Sequence, residues 1–263
     1  MKIQLFAYLC LGVLAFTFSA KAQDADEIIN NYFENTGGLD QWNNLQTIKM
    51  EGEVPTPQGN YSFVIYKKRP NLTKLEIDVQ GQTIVPQAYD GQVAWTINPF
   101  QGSTAAQKMP DEVAKVIAEG AEFEDPLLNY KEKGHKATYE GEETIDSVAT
   151  YKIKLVKNAD NPQDTASATY YFDQEQYVPV LIKNTIKIGP MVGKESATYL
   201  SNYQKTDVGL TMPYTIETRM GGEQVEKVTI SKIAVNEDIS DSLFAFPTPD
   251  DTAVEADSTS SGE

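Results

Sequence analysis

The chain has 263 residues, 40% of them hydrophobic and 10% aromatic, and its 38 acidic and 22 basic residues give a formal charge of −16 at neutral pH. So acidic a balance argues against nucleic acid as a partner, because phosphate contacts need a basic surface. One cysteine (Cys10) and one histidine (His135) exclude an internal disulfide, a cysteine-based metal site and any centre built on two imidazoles.

Lys2, an apolar run from Ile3 to Phe18 and the small-residue end Ser19-Ala20-Lys21-Ala22 make an export signal, with cleavage expected after Ala22. The run falls short of the ~20 residues that span a bilayer. Cys10 lies early inside it, the wrong place for a lipid attachment site, so the mature chain is expected to lack cysteine. Cleavage removes Lys2 and Lys21 and no acid, which moves the charge from −16 to −18. The remaining 241 of 263 residues (residues 23–263) are ample for one β-rich domain held together by core burial alone.

Residues Asp24 to Asn35 read as a helix. Ile28, Ile29, Tyr32 and Phe33 share one face, Asp24, Asp26 and Glu27 crowd the positive N-terminal end, and Gly37-Gly38 stops it. A second short helix over Leu39–Leu45 carries Trp42 as its apolar knob. From Thr47 to Gln101 the pattern switches to period two, as in Lys74-Leu75-Glu76-Ile77-Asp78-Val79, and gives about five antiparallel strands. Gln80-Gly81 and Asp90-Gly91 are hairpin signals, since such turns need the positive φ that glycine adopts without strain.

Between Gln101 and Tyr130 the alternation stops. Pro110 opens a short helix with Val113, Val116 and Ile117 on one face, and Asp125-Pro126 opens a further turn with Leu127, Leu128 and Tyr130. Strands resume from Lys136 to Val235, punctuated by turn signals at Asp146-Ser147, Asn161-Pro162, Gly189-Pro190, Val208-Gly209 and Gly221-Gly222. The expected fold class is mainly β with inserted helices (α+β): a single curved antiparallel half-barrel sheet, over residues 23–247, with helices covering its concave face. Leu243-Phe244-Ala245-Phe246-Pro247 closes it, and the acidic, Ser- and Thr-rich stretch 248–263 is expected to be disordered.

Signs of catalysis are scarce. His135 follows Gly134 in a lysine-rich segment with no Gly-x-Ser-x-Gly elbow, and the glutamate clusters at Glu122/Glu124/Asp125 and Glu140/Glu142/Glu143 fit capping and solvation at least as well as acid–base work. No calcium-loop or phosphate-loop pattern occurs. The expectation is a protein that is not an enzyme, with no catalytic residue, no metal and no cofactor. The many strand tyrosines beside Phe63, Phe172 and Trp95 are consistent with ordinary packing or with an apolar concavity that receives an amphiphile.

Four pieces, in order, carry a resemblance: the N-terminal helix, Lys68-Arg69-Pro70-Asn71, the hairpin Asp90-Gly91…Trp95…Asn98-Pro99-Phe100, and the ending Phe244-Ala245-Phe246-Pro247-Thr248-Pro249. Together they resemble the LolA/LolB-type periplasmic carriers of outer-membrane lipoproteins, and Asp125-Pro126-Leu127-Leu128-Asn129-Tyr130-Lys131-Glu132-Lys133-Gly134-His135 resembles the branch known as outer-membrane lipoprotein-sorting proteins. The resemblance implies a periplasmic location in a Gram-negative envelope and a carrier or chaperone role. It also implies a concavity that shelters lipoprotein acyl chains or another envelope lipid, with an inner-membrane donor and an outer-membrane acceptor as partners; a monomer is expected.

Candidate ligand-lining residues are Phe63, Ile65, Leu75, Ile77, Trp95, Ile153, Leu155, Tyr170 and Phe172. For the lid, the resemblance implies Arg69, whose guanidinium would hold it through backbone carbonyls, with Val113, Ile117, Leu127 and Leu128. The chain departs from the carriers in its extra strand sequence between Lys187 and Met220 and in its many Tyr and Thr residues, which leaves the cargo open. A non-enzymatic envelope sensor or protein-interaction module on the same fold is the alternative.

Overall fold

The computed structural model describes residues 24–101, 103–161, 166–187 and 191–247; the expected export signal and the acidic tail expected to be disordered lie outside the described residues. Helix α1 (Ala25–Asn35) starts where the Asp24 carboxylate accepts from the Asp26 amide at 3.3 Å. It ends at Thr36, and the amide of Gly38 then donates to the Phe33 carbonyl at 2.8 Å. Gly37, at φ +130°, is required here: a side chain would meet Leu210 and the Gly209 carbonyl. Helix α2 (Leu39–Asn43) follows. Its Trp42 indole donates to the buried Thr36 hydroxyl, which itself donates to the Tyr32 carbonyl, so the α1–α2 corner leaves no polar group stranded.

The next strands are β1 (Thr47–Thr56), β2 (Gly59–Lys68), β3 (Leu72–Val79), β4 (Gln82–Tyr89) and β5 (Ala94–Asn98). The sequence pattern missed a sixth, β6 (Ser103–Lys108), because its Ala-Ala centre carries no apolar alternation. Gln80-Gly81 makes the expected tight turn with both φ positive. Asp90-Gly91 instead begins a longer loop, in which the Asp90 carboxylate accepts from the amides of Gln92 and Val93. Helix α3 (Asp111–Gly120) starts after Pro110, and Asp125–Gly134 is a run of turns.

Seven strands complete the sheet: β7 (Lys136–Ile145), β8 (Val148–Lys157), β9 (Ala166–Asp173), β10 (Pro179–Thr185), β11 (Glu195–Lys205), β12 (Thr211–Met220) and β13 (Glu223–Val235). All thirteen lie in one antiparallel sheet of order β6-β5-β4-β3-β2-β1-β13-β12-β11-β10-β9-β8-β7. Each neighbour is a chain neighbour except where the first strand meets the last. The free edges, β6 and β7, are therefore joined by the helical segment between them. Edge β7 bears Glu140, Glu142 and Glu143 and a bulge beside Gly141, both of which discourage pairing with another chain.

Curvature follows from contact. Phe63 on β2 and Ile153 on β8 belong to one continuous core. Seven strand positions separate them, about 34 Å in a flat sheet at ~4.8 Å per strand. Only a sheet curled around α1 can put both in one core, so the molecule is a half-barrel with unpaired edges.

Candidate functional site

Cross-strand register assigns each residue to a face. On one side Met50 pairs with Ile65 and Ile233, Phe63 with Ile77, Ile65 with Leu75, and Ile216 with Val228. On the other half of the sheet Ile153 pairs with Tyr139 and Tyr170, and Leu155 with Ala137 and Ala168. These residues form or pack against the same core, and they line the concave face. Phe63 lies over Gly52, where an added Cβ would come within 2.3 Å of the Thr229 carbonyl and 2.8 Å of the Phe63 ring.

Helix α1 fills one part of this face. Ala25, Ile28, Ile29, Tyr32 and Phe33 are all buried. Tyr32 packs against Phe172 with ring centres 5.8 Å apart, and Phe33 meets Trp42 edge-on at 5.8 Å. At roughly 1.5–3 kcal/mol for each large buried apolar side chain, this helix is a fixed plug. Helix α3 is seated differently. It packs on β4 and β5 with Val113, Val116 and Ile117 only half-buried and no residue fully buried.

Neither helix covers the central strands completely. Met50 and Val54 on β1, Ile65 on β2, Leu75 and Ile77 on β3, Ile216 on β12 and Val228 on β13 remain partly exposed. They form an apolar strip along the concavity. Two shallow surface hollows lie elsewhere: one of about 220 Å³ between α1 and Leu127–Glu132, and one of about 390 Å³ beside Leu72, Asp90 and Asp241. The strip is an open trough.

A latch of charges borders the trough. The Arg69 Nε donates to the Leu45 carbonyl at 2.6 Å, and its Nη2 lies 3.4 Å from the Asn43 and 3.5 Å from the Trp42 carbonyl oxygens. Its Nη1 donates to Glu124, and the guanidinium stacks 5.1 Å from the Phe123 ring centre. Lys133 also pairs with Glu124 at 2.8 Å, and Lys157 with Glu122 at 2.8 Å. Lys67 donates to the Glu122 carbonyl at 3.2 Å. Glu122 and Glu124, which read in the sequence as capping or solvated acids, thus tie the segment after α3 to β2 and β8. Lys133 and then Arg69 hold the Glu124 carboxyl below the usual range, whereas burial pulls the Lys67 ammonium down.

Deeper in, the Tyr32 hydroxyl donates to Asp125 Oδ2 at 3.1 Å, and Asp125 Oδ1 accepts from the Leu127 amide at 2.8 Å. Burial pushes the Asp125 carboxyl up against these bonds. Burial likewise raises Tyr32, Tyr170 and Tyr203, so all three stay neutral and present hydroxyls as hydrogen-bonding groups. His135 accepts from the Asn158 amide through Nδ1 at 3.3 Å. Among the described residues no group of three or more His, Cys, Asp or Glu side chains is arranged to hold a metal ion.

Neither a protein-family model nor a curated protein sequence matches the chain. Solved structures do. A DUF1329 family protein from Desulfovibrio piger aligns at TM-score 0.53 and 14% identity, over 82% of this chain and 97% of that one. A LolA superfamily protein from Nitrosomonas europaea gives 0.53 and 14%, over 85% and 98%. A domain named for outer-membrane lipoprotein sorting, from Vibrio parahaemolyticus, gives 0.50 and 11%, over 84% and 97%. The fold is LolA-like. At these identities the likeness establishes architecture, and it agrees with the resemblance carried by the sequence.

Within this LolA-like concavity the structure brings together Phe63, Ile65, Leu75, Ile77, Ile153, Leu155, Tyr170 and Phe172. Phe63, Ile153, Leu155, Tyr170 and Phe172 are buried, whereas Ile65, Leu75 and Ile77 are only partly buried. Trp95 is not among them. It lies in the row Lys49, Tyr66, Lys74, Ala88, Trp95, on the convex face. There its indole donates to the Phe244 carbonyl at 2.9 Å and its ring meets Phe246 edge-on. The Trp strand is a clamp for the C-terminal segment, and the sequence could not tell the two faces apart.

Leu127 and Leu128 are about 1% exposed and belong to the core, while Val113 and Ile117 ride on α3. Sequence reasoning missed Met50, Val54, Ile216 and Val228 as trough residues. The strand alternation places them, but only with the register known.

Proposed function

We propose that this is an exported, periplasmic carrier without enzymatic activity. In this reading it shelters the acyl chains of a lipoprotein or another envelope amphiphile in the concave trough and hands them toward the outer membrane. The observation that carries the reading is the half-exposed apolar strip from Met50 to Val228, which the chain's own helices leave uncovered. Water-exposed methylenes cost about 0.8 kcal/mol each, so an acyl chain laid along the strip stabilises both partners. The LolA-like architecture and the solved domain named for lipoprotein sorting support the same reading.

In this account α3 is the movable lid, since half-buried Val113, Val116 and Ile117 release far less free energy on seating than α1 does. Arg69 governs the lid indirectly. It fixes the segment after α3 through Glu124 while capping the carbonyls at the end of α2. Cargo is bound by area, and release requires only that the trough reopen.

The test is binding of a fluorescent acylated peptide to variants of each face. Ile216→Asp and Val228→Asp are expected to weaken binding at least about tenfold, because each puts a charge where an acyl chain would lie. Trp95→Phe, on the convex face, is expected to leave affinity unchanged. Equal affinity in all three variants would remove the trough as the binding site.

A further inference from the structure

Beyond Ile65 the concave face of β2 turns polar. Lys67 pairs with Ile48 of β1 and Thr73 of β3, on the same face as Ile65 and two residues further along. Ile48 is a core residue and Thr73 is buried, so the Lys67 side chain leaves the strand toward the interior, where it reaches the Glu122 carbonyl at 3.2 Å. From the rung of Ile48 and Lys67 to that of Val54 and Tyr61 is six residues, about 20 Å at ~3.4 Å per residue. The apolar strip therefore has one polar end, at Lys67 and Glu122.

Lys67 is the latch cation that makes no ion pair among the described residues. Arg69 and Lys133 are matched to Glu124 and Lys157 to Glu122, whereas the Glu122 carbonyl engages only one of the three donors of the Lys67 ammonium. The carboxylates that face Lys67 are Glu122 and Asp125. The same two face Tyr170 of β9, in the other half of the sheet. Tyr170 is 6% exposed and belongs to the core with its neighbour Ile153, yet its hydroxyl donates to no described residue. Asp125 is already taken by the Tyr32 hydroxyl and the Leu127 amide. Two donors with protons to spare thus face one corner of the concavity.

Spare donors in a buried setting favour a ligand that brings oxygen acceptors, because an unmade bond there is costly. Glu122 and Asp125 repel a ligand head that is itself an anion, so the acceptor that fits is neutral. We infer that this corner binds the carbonyl oxygen of an acyl ester or amide, with Lys67 and Tyr170 as its donors and the acyl tail lying along the strip from Ile65 toward Val54. The inference rests on the carrier reading and deepens it: it makes the trough selective for ester- or amide-linked chains and fixes the direction in which they lie.

Displacement of a fluorescent acylated peptide by a monoacylglycerol, and by the alkylglycerol ether of the same chain length, isolates the carbonyl. The processed wild-type protein is expected to bind the ester about tenfold more tightly than the ether, since a hydrogen bond from a charged donor is at stake. Lys67→Met and Tyr170→Phe are each expected to cut that preference at least about threefold through the ester alone, and Lys67→Arg to keep most of it. Unchanged ether affinity verifies the folding of each variant, and Tyr170→Phe decides the matter if Lys67→Met does not fold. No ester preference in the wild type, or a preference that survives in either folded variant, overturns the inference and leaves the carrier reading standing. So does a fatty acid that binds more tightly than the ester and loses this advantage in Lys67→Met, since the corner would then hold an anion. A peptide that does not bind at all removes the carrier reading and the inference with it.

Discussion

At the scale of single residues, two positions make the account concrete. Burial raises the Asp125 carboxyl above its ordinary value of 3.8. The folded protein therefore binds this proton more readily than the unfolded chain does. The sign is fixed by that difference: Asp125 contributes stability as pH falls through its raised folded value toward 3.8, and loses it as pH rises. Glu124 and Asp26, held low mainly by Lys133 and Lys131, act in the opposite sense and weaken the fold only in stronger acid. Denaturant titrations across mildly acidic to neutral pH are expected to show wild type gaining on Asp125→Asn as pH falls; parallel profiles would contradict this. Gly52 is the second position. Alanine there meets a strand carbonyl and the Phe63 ring, so Gly52→Ala is expected to cost about 1–3 kcal/mol in the same titrations.

Among the elements, the contrast between the helices decides what moves. Amides of α1 are expected to be protected from hydrogen exchange nearly as well as the central strands, and those of α3 to exchange much faster. Equal protection would mean that α3 is no lid. Arg69→Leu removes the carbonyl and Glu124 contacts together and is expected to cost about 1–3 kcal/mol while speeding exchange in residues 121–125. The exposed Glu119–Lys187 pair contributes at most about 1 kcal/mol, so its loss alone leaves α3 seated. Most elements were legible because each obeys a local rule: the α1 face at Ile28, Ile29, Tyr32 and Phe33, the alternation of β3, the glycine turns. Strand β6 was not, since alanines give no alternation. The face of Trp95 was not either, because which side of a strand is concave depends on pairings made by distant strands.

For the whole molecule, closing the chain's ends together at β1 and β13 puts the open edges in mid-sequence, where the segment carrying α3 connects them and is latched through Glu124 to Arg69 and through Glu122 to Lys157 of β8. Period-two strands and their turns foreshadowed the half-barrel, whereas the trough depends on register across β1, β2, β3, β12 and β13. The sequence could name Ile65, Leu75 and Ile77 as candidates from the alternation of β2 and β3, whereas Met50, Val54, Ile216 and Val228 join the same strip only once the register is known. The central claim is that this half-covered trough carries an amphiphile. Native mass spectrometry of the processed protein, purified from an envelope extract without detergent, tests it most directly. The account predicts an added mass matching a lipid or an acylated protein, lost in Ile216→Asp. An unliganded mass that stays unchanged when acylated peptide is added would contradict it, and would favour a sensor or interaction module built on the same half-barrel.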